Sequence, residues 1–334
     1  MRRAGRLYPL IAEPDNIRLA FLKAARGKHN RKEIVSFKSD FENNIRRLYD
    51  QIKHQLLDVG KYRFFHVYDP KKRLICAAAF EERVLHHAIM NVCEPVLDTY
   101  AIYDSYACRK GKGAQKAVLR SQEFAGRYLW FLKLDIRKYF DSIDHRILMQ
   151  FLAHRFKDKT LLLLFGQIIK TYQTEADKGL PIGNLISQHL ANFYLSGFDH
   201  WIKEVRRVHG YIRYMDDFIL FKEDKASLKN ELRQIQSFLK ENLKLDLKST
   251  TQLNRSSNGI PFLGLRVFPQ RIRLSPLSKR RFIRKFRLYE ENFKTGRWSI
   301  NMLTRHMEPL IEFTQMANAA DFRRNVMIRF GVSS

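Results

Sequence analysis

Residues 211–222 read YIRYMDDFILFK, two adjacent carboxylates set between two apolar runs. The runs, ending in Tyr214 and Met215 on one side and beginning Phe218, Ile219, Leu220 on the other, are built from residues that favour strands, and Met215-Asp216-Asp217 is short enough to be the bend between them. The local expectation is a β-hairpin with acids at its tip. Asp is also a common turn former, so a solvated turn satisfies this stretch as well as a cation site does. The rest of the chain has to separate the two.

The 334 residues include 61 Lys plus Arg against 34 Asp plus Glu, a formal net charge of +27, with cations spread from Arg2 to Arg329. Such a field on a globular chain points to a polyanionic partner, most simply nucleic acid phosphate. An anionic membrane surface is the rival, but no run approaches the ~18 apolar residues of a spanning helix. The N-terminal stretch also lacks a signal-peptide pattern, so a soluble, intracellular protein with no membrane partner is expected. Cys76, Cys93 and Cys108 include no Cys-x-x-Cys pair and are expected as buried thiols rather than a disulfide framework or zinc ribbon. His86 and His87 lack metal-ligand spacing and read as ordinary helix residues. RKGKGAQKA, residues 109–117, lacks the order of a nucleotide-triphosphatase loop.

Periodicity predicts helices over 15–58, broken by a basic stretch, then strands over 64–68 and 74–78 joined by Asp69, Pro70 and a basic triplet. A helix over 81–98 follows, then a buried strand through Leu134 that ends at Asp135, a helix over 144–172, and a Gly-Pro-Gly entry (Gly179, Pro181, Gly183) into a long helix. After the acidic hairpin come an amphipathic helix leading into a strand, a second hairpin over 260–275, and basic helices beyond Pro276. The fold class is α+β. With no repeat or low-complexity linker, the parts are expected to pack as one continuous body.

Three carboxylates thus lie at strand ends. If those strands are neighbours in one antiparallel sheet, Asp135, Asp216 and Asp217 converge on one edge, a costly cluster unless divalent cations fill it. Hard oxygen ligands suit Mg²⁺, which keeps waters and takes further ligands from substrate phosphates. Two ions about 4 Å apart would activate an attacking hydroxyl and stabilise a leaving pyrophosphate, which is nucleotidyl transfer.

YMDD between two strands, with LKLDIRKYFDSIDH upstream, resembles the palm of a reverse transcriptase, and the segments from about 60 to 268 fall in that family's order. The resemblance implies a right-hand polymerase: an N-terminal helical extension over 1–60, fingers over 61–134 with the start of the palm, palm over 135–268 with part of the fingers inserted, and a basic helical thumb over 269–334. It implies that Asp135 and Asp216 hold two Mg²⁺ ions, with Mn²⁺ able to substitute, that Asp217 assists and that the Ile136 carbonyl completes the set. Phe140 matches the steric gate against a ribose 2′-hydroxyl, or is plain core. YDPKKRLI resembles the fingers hairpin that holds the incoming triphosphate, through Lys71 and Arg73. LDLKST resembles the motif whose lysine protonates pyrophosphate, making Lys248 the general acid or else a solvated lysine, and FLGLRV resembles the primer grip. Arg109 and Lys112, with Lys279, Arg280, Arg281, Arg284 and Lys285 of the thumb, are the candidates for nucleic acid contact.

LPIGNLISQ narrows the class. Ile182 stands where many relatives carry Gln, and Gln188 where they carry Pro, a pattern around Gly183 that resembles reverse transcriptases of diversity-generating retroelements. These three are accordingly placed against the incoming nucleotide. The implied activity is error-prone, adenine-mutagenic copying of a template-repeat RNA into cDNA for mutagenic retrohoming. Its substrates would be dNTPs and an RNA template held as a cDNA/RNA hybrid, with a small basic oligomeric accessory protein as partner and a bacterial or phage-infected cytoplasm as setting. An apolar Ile182 removes a hydrogen-bonding group from the nucleotide floor, which loosens base-pair geometry. Group II-intron-like, retron and phage-defence reverse transcriptases share the chemistry, and a non-catalytic nucleic-acid-binding scaffold is the alternative of another class. Intact acids argue against the scaffold. The chain ends at Ser334 without length for an RNase H, endonuclease or maturase segment, so integration is expected to need other factors.

Overall fold

The structure, a computed structural model, describes residues 3–68 and 72–331, so Lys71 lies outside the described residues. Instead of one continuous body the chain forms two compact units, one from Met1–Arg109, Ile136–Arg206 and Gln234–Lys248, the other from Lys110–Asp135, Arg207–Arg233 and Ser249–Ser334.

The first unit is mainly helical. Helix Phe80–Asp98 runs through its core, with Val84, Leu85, Ala88 and Ile89 at helical spacing and each no more than 1% exposed. Helices Pro14–Ala25, Lys32–Ser39 and Phe41–Lys53 account for the N-terminal helical pattern. Phe21 joins Phe37, Phe41 and Phe80 in an aromatic cluster, its ring centroid 4.9 Å from that of Phe41. β1 (Tyr62–Val67) and β2 (Arg73–Ala78) form a two-stranded antiparallel ribbon. The helix expected over 144–172 is two, His145–Arg155 and Lys159–Lys170. Each starts at an aspartate cap: Asp144 accepts the N–H groups of Arg146 and Ile147 at 2.9 and 3.0 Å, and Asp158 accepts that of Leu161 at 3.2 Å. The long helix expected after Gly183 is likewise divided, into Leu185–Tyr194, Ser196–His200 and a π-turn at Trp201–Val205.

The second unit holds the sheet. β3 (Trp130–Asp135), β4 (Gly210–Tyr214), β5 (Asp217–Lys222) and β6 (Gln252–Arg255) pair in the order β4-β5-β3-β6, every neighbour antiparallel. Helix Ala114–Arg127 covers part of one face, with Phe124 5.5 Å from Phe221 between ring centroids. Where a hairpin was expected after residue 260, three short strands form: β7 (Ile260–Phe262), β8 (Leu265–Val267) and β9 (Ile272–Leu274). Leu263 and Gly264 join β7 to β8 at φ of 48° and 80°, the two positive values of a type I′ turn. Beyond it, helices Pro276–Lys294, Ile300–Gln315 and Ala320–Phe330 enclose their own core of Phe282, Phe286, Leu303, Met307 and Val326. No helix among the described residues is long and apolar enough to cross a membrane.

Candidate active site

The register of the sheet brings the acids together. Asp135, last residue of β3, lies directly opposite Asp217, first residue of β5, and Tyr214 of β4 lies opposite Asp217 on its other side. The bend is therefore Met215-Asp216, one residue shorter than the sequence suggested, and Asp217 belongs to the strand. Met215 has φ of 58°, a conformation that costs a non-glycine residue about 1–3 kcal/mol. Its carbonyl accepts a 3.0 Å hydrogen bond from Arg213 Nη1, and Arg213 is fully buried.

Burial pushes the Asp217 carboxyl up to about 6, with the charges of Asp135 and Asp216 adding to the shift and Lys133 opposing it. Lys133 Nζ lies 2.7 Å from Asp217 Oδ1. Among the described residues no three His, Cys, Asp or Glu side chains gather tightly enough to form a ready metal cage. The donor chemistry nevertheless fits a hard divalent cation: Asp135 and Asp216 supply carboxylate oxygens beside a third carboxylate whose shift records their negative charge.

In the first unit the loop carrying Ile182 and Gly183 is fastened to β2. The Cys76 N–H donates to the Ile182 carbonyl at 2.8 Å, and the Ala78 N–H donates to Asn184 Oδ1 at 3.3 Å. Gly183 sits at φ of 117°, and a Cβ there would come within 2.7 Å of Ile75 Cγ2 and 3.3 Å of the Cys76 carbonyl. Glycine is required at this position. Ile182 is half-buried, while Gln188 is exposed on the following helix, its amide oxygen 3.9 Å from Cys108 Sγ. Arg73 is exposed on the ribbon face that also carries Phe65 and Arg63.

Phe140 is half-buried, whereas the neighbouring Tyr139 fills the core and donates its hydroxyl proton to the Ala191 carbonyl. Lys248, half-buried, follows Leu247, which forms an isolated bridge with the fully buried Ile136 in place of the strand expected there. Arg137 reinforces that junction through its N–H to the Asp246 carbonyl and its guanidinium to the Asp246 carboxylate, both at 2.8 Å.

The other candidate cations differ in their surroundings. The Arg109 guanidinium pairs with Asp98 and donates to the carbonyls of Ile102 and Ser105 at 2.6 and 2.8 Å, so it locks its own loop instead of presenting itself to phosphate. Lys112, between Gly111 and Gly113 at φ of 73° and 108°, is half-buried. On helix Pro276–Lys294, Lys279, Arg280 and Arg284 are exposed, while Arg281 and Lys285 line a cavity of about 340 Å³ shared with Arg305 and His306. Cys76 and Cys93 are buried as expected, but Cys108 is half-buried.

Sequence reasoning missed a second basic cluster. Lys28, Arg31, Lys61, Arg63 and Arg83 line an open cavity of about 530 Å³ together with Gly183. Burial, then the charges of Arg83 and Arg31, lower the Lys28 pKa. These cations come from three separated segments and share no motif, so only the fold reveals them.

Residues 66–267 match the family described as reverse transcriptase (RNA-dependent DNA polymerase). The chain belongs to this family. It is 26% identical to protein YkfC of Escherichia coli, across 62% of this chain and 67% of that protein. It is 22% identical to the putative COX1/OXI3 intron 2 protein of Saccharomyces cerevisiae and to the group II intron-encoded protein LtrA of Lactococcus lactis, across 61% and 60% of this chain. The chain spans only 31% and 36% of the length of those two intron proteins. Among solved structures, apo telomerase from Candida tropicalis superposes with a TM-score of 0.52 at 12% identity, covering 80% of this chain and 59% of that one. The fold is thus the right-hand polymerase fold of reverse transcriptases. Asp135, Phe140, Ile182, Asp216, Asp217 and Lys248 all fall inside the matched residues, and the three C-terminal helices fall beyond them.

Proposed function

We propose that the chain copies RNA into DNA, with Asp135 and Asp216 as the carboxylates that hold divalent metal, Mg²⁺ by the hardness of the donors. The observation that carries this reading is the sheet register, which puts Asp135 opposite Asp217 at the end where the two-residue turn displays Asp216. The metal, when bound, supplies Lewis-acid activation of a primer hydroxyl and charge neutralisation at the departing pyrophosphate. The Ile136 carbonyl is its further oxygen donor. Lys71 and Arg73 receive the triphosphate, Phe140 excludes a 2′-hydroxyl, and Lys248 returns a proton to pyrophosphate. Lys279, Arg280 and Arg284 meet the phosphates of the template hybrid. Primer extension on an RNA template with dNTPs tests the reading: extension that requires the RNA strand and stops on chelation is expected, and its absence with every divalent ion would refute it.

The finer reading is adenine-mutagenic synthesis from a template-repeat RNA, aided by a small basic accessory protein. Its support is the apolar Ile182 in the loop fastened beneath β2. A group II-intron-like enzyme is the second reading, favoured by the likeness to LtrA. Sequencing the cDNA separates them: a marked excess of errors opposite template adenine is expected of the first, and even fidelity at all four bases selects the second.

A further inference from the structure

Along β3, Phe131, Lys133 and Asp135 share one face of the sheet, and across from them on β5 stand Phe221, Ile219 and Asp217. Phe131, Phe221 and Ile219 are each no more than 1% exposed. A lysine in that row places its stem among apolar neighbours and can be tolerated there only if its ammonium meets opposite charge. Lys133 opposes Ile219, which makes Asp217 its diagonal neighbour, a separation of roughly 7–8 Å between Cα atoms that a lysine side chain can span. It does span it: Nζ reaches Asp217 Oδ1 at 2.7 Å, with the two side chains 15% and 21% exposed. From the opposite face, buried Arg213 ties down the Met215 carbonyl of the same turn.

We propose that Lys133 is a positioning residue for the catalytic turn: its ammonium holds the Asp217 carboxylate as an internal anchor and so fixes the bend that carries Asp216. This rests on the polymerase reading above. An Asp217 carboxylate able to swing would pull on any cation held beside it and draw it off the line of reaction. Lys133 removes that competition by engaging Asp217 inside the sheet, and Arg213 keeps the strained turn from relaxing. The two cations brace one bend from two faces.

The test is a double-mutant cycle on the full chain, Lys133→Met with Asp217→Asn, read first as melting temperature in chelator. Asp217→Asn is expected to raise the melting temperature by several degrees more in the Lys133→Met background than in wild type, because there it removes a carboxylate left without its partner. Equal shifts in both backgrounds would overturn the proposal. Lys133→Gln substitutes in the cycle if the Met variant does not fold. In steady-state extension, Lys133→Met should lower kcat at least tenfold with the KM for dNTP within about twofold, and Lys133→Arg should recover most of the loss. A loss seen only in KM, or no recovery with arginine, would also overturn it. If wild type itself extends no primer, the polymerase reading fails while the melting cycle still decides the ion pair.

Discussion

The turn at Met215 and the loop at Gly183 each hold a residue at positive φ, 58° and 117°, but the two are built in different ways. The turn is made by its own strands: β4 and β5 adjoin it in sequence, and β3 sets Asp135 across from Asp217. The loop is made by a distant partner, since Asn184 binds the backbone of Ala78 across 106 residues of chain. Charge is the sensitive property of the first, where three acids and a lysine meet. Volume is the sensitive property of the second, where no Cβ fits.

That contrast yields its largest test at Gly183. Gly183→Ala imposes both a left-handed alanine and a contact near 2.7 Å with Ile75, a combined cost of about 2–4 kcal/mol. The loop must then part from β2, so a large fall in melting temperature and at least a tenfold rise in the KM for dNTP are expected. Met215→Gly, the matching change in the turn, should leave stability equal or improved because it relieves the strained φ. Thermal melts of the two variants side by side check this, and equal losses at both positions would erase the distinction.

The acidic hairpin and the strand before Asp135 could be read directly from the sequence, because short apolar runs rich in aromatic and β-branched residues ended at carboxylates and needed only neighbouring partners. Lys133 could not be. In FLKLDI it looks like one more cation of a basic chain, and its role appears only once the register makes Asp217 its diagonal neighbour. The break at Asp158 was hidden for a related reason: its carboxylate also accepts the N–H groups of Leu7 and Tyr8, each at 2.9 Å, from the far N-terminus. Arg109 carries the composition of a phosphate ligand, and only the fold shows Asp98 and two carbonyls filling its guanidinium.

The charge side of the contrast gives a pH test of intermediate size. The Asp217 carboxyl is raised from 3.8 to about 6, so folding favours its protonated form, and that contribution is lost as pH rises through about 6. The effect of Asp217→Asn on stability should therefore become more favourable by about 3 kcal/mol between pH 4 and pH 7, on top of a pH-independent cost of leaving the Lys133 ammonium without its partner, measured in chelator by denaturant unfolding. Asn184→Ala, in the loop, should change stability equally at both pH values. A pH-independent effect of Asp217→Asn would contradict the buried-acid account of the turn.

The smallest effect is expected at Ile182. Ile182→Gln puts an amide in the loop proposed to receive the nucleotide, and one neutral hydrogen bond contributes about 0.5–1.5 kcal/mol, which converts to roughly two- to twelvefold in misincorporation. Errors opposite template adenine should fall more than errors opposite the other bases in sequenced cDNA. An unchanged adenine error rate would remove Ile182 from the account of fidelity.

The acidic turn as the catalytic centre is tested most directly by Asp216→Asn, which removes a ligand charge while keeping the side chain's shape. DNA synthesis on an RNA template in Mg²⁺ should fall at least a thousandfold, with the melting temperature and RNA affinity close to those of wild type. Substantial synthesis by the well-folded Asn variant would contradict the assignment.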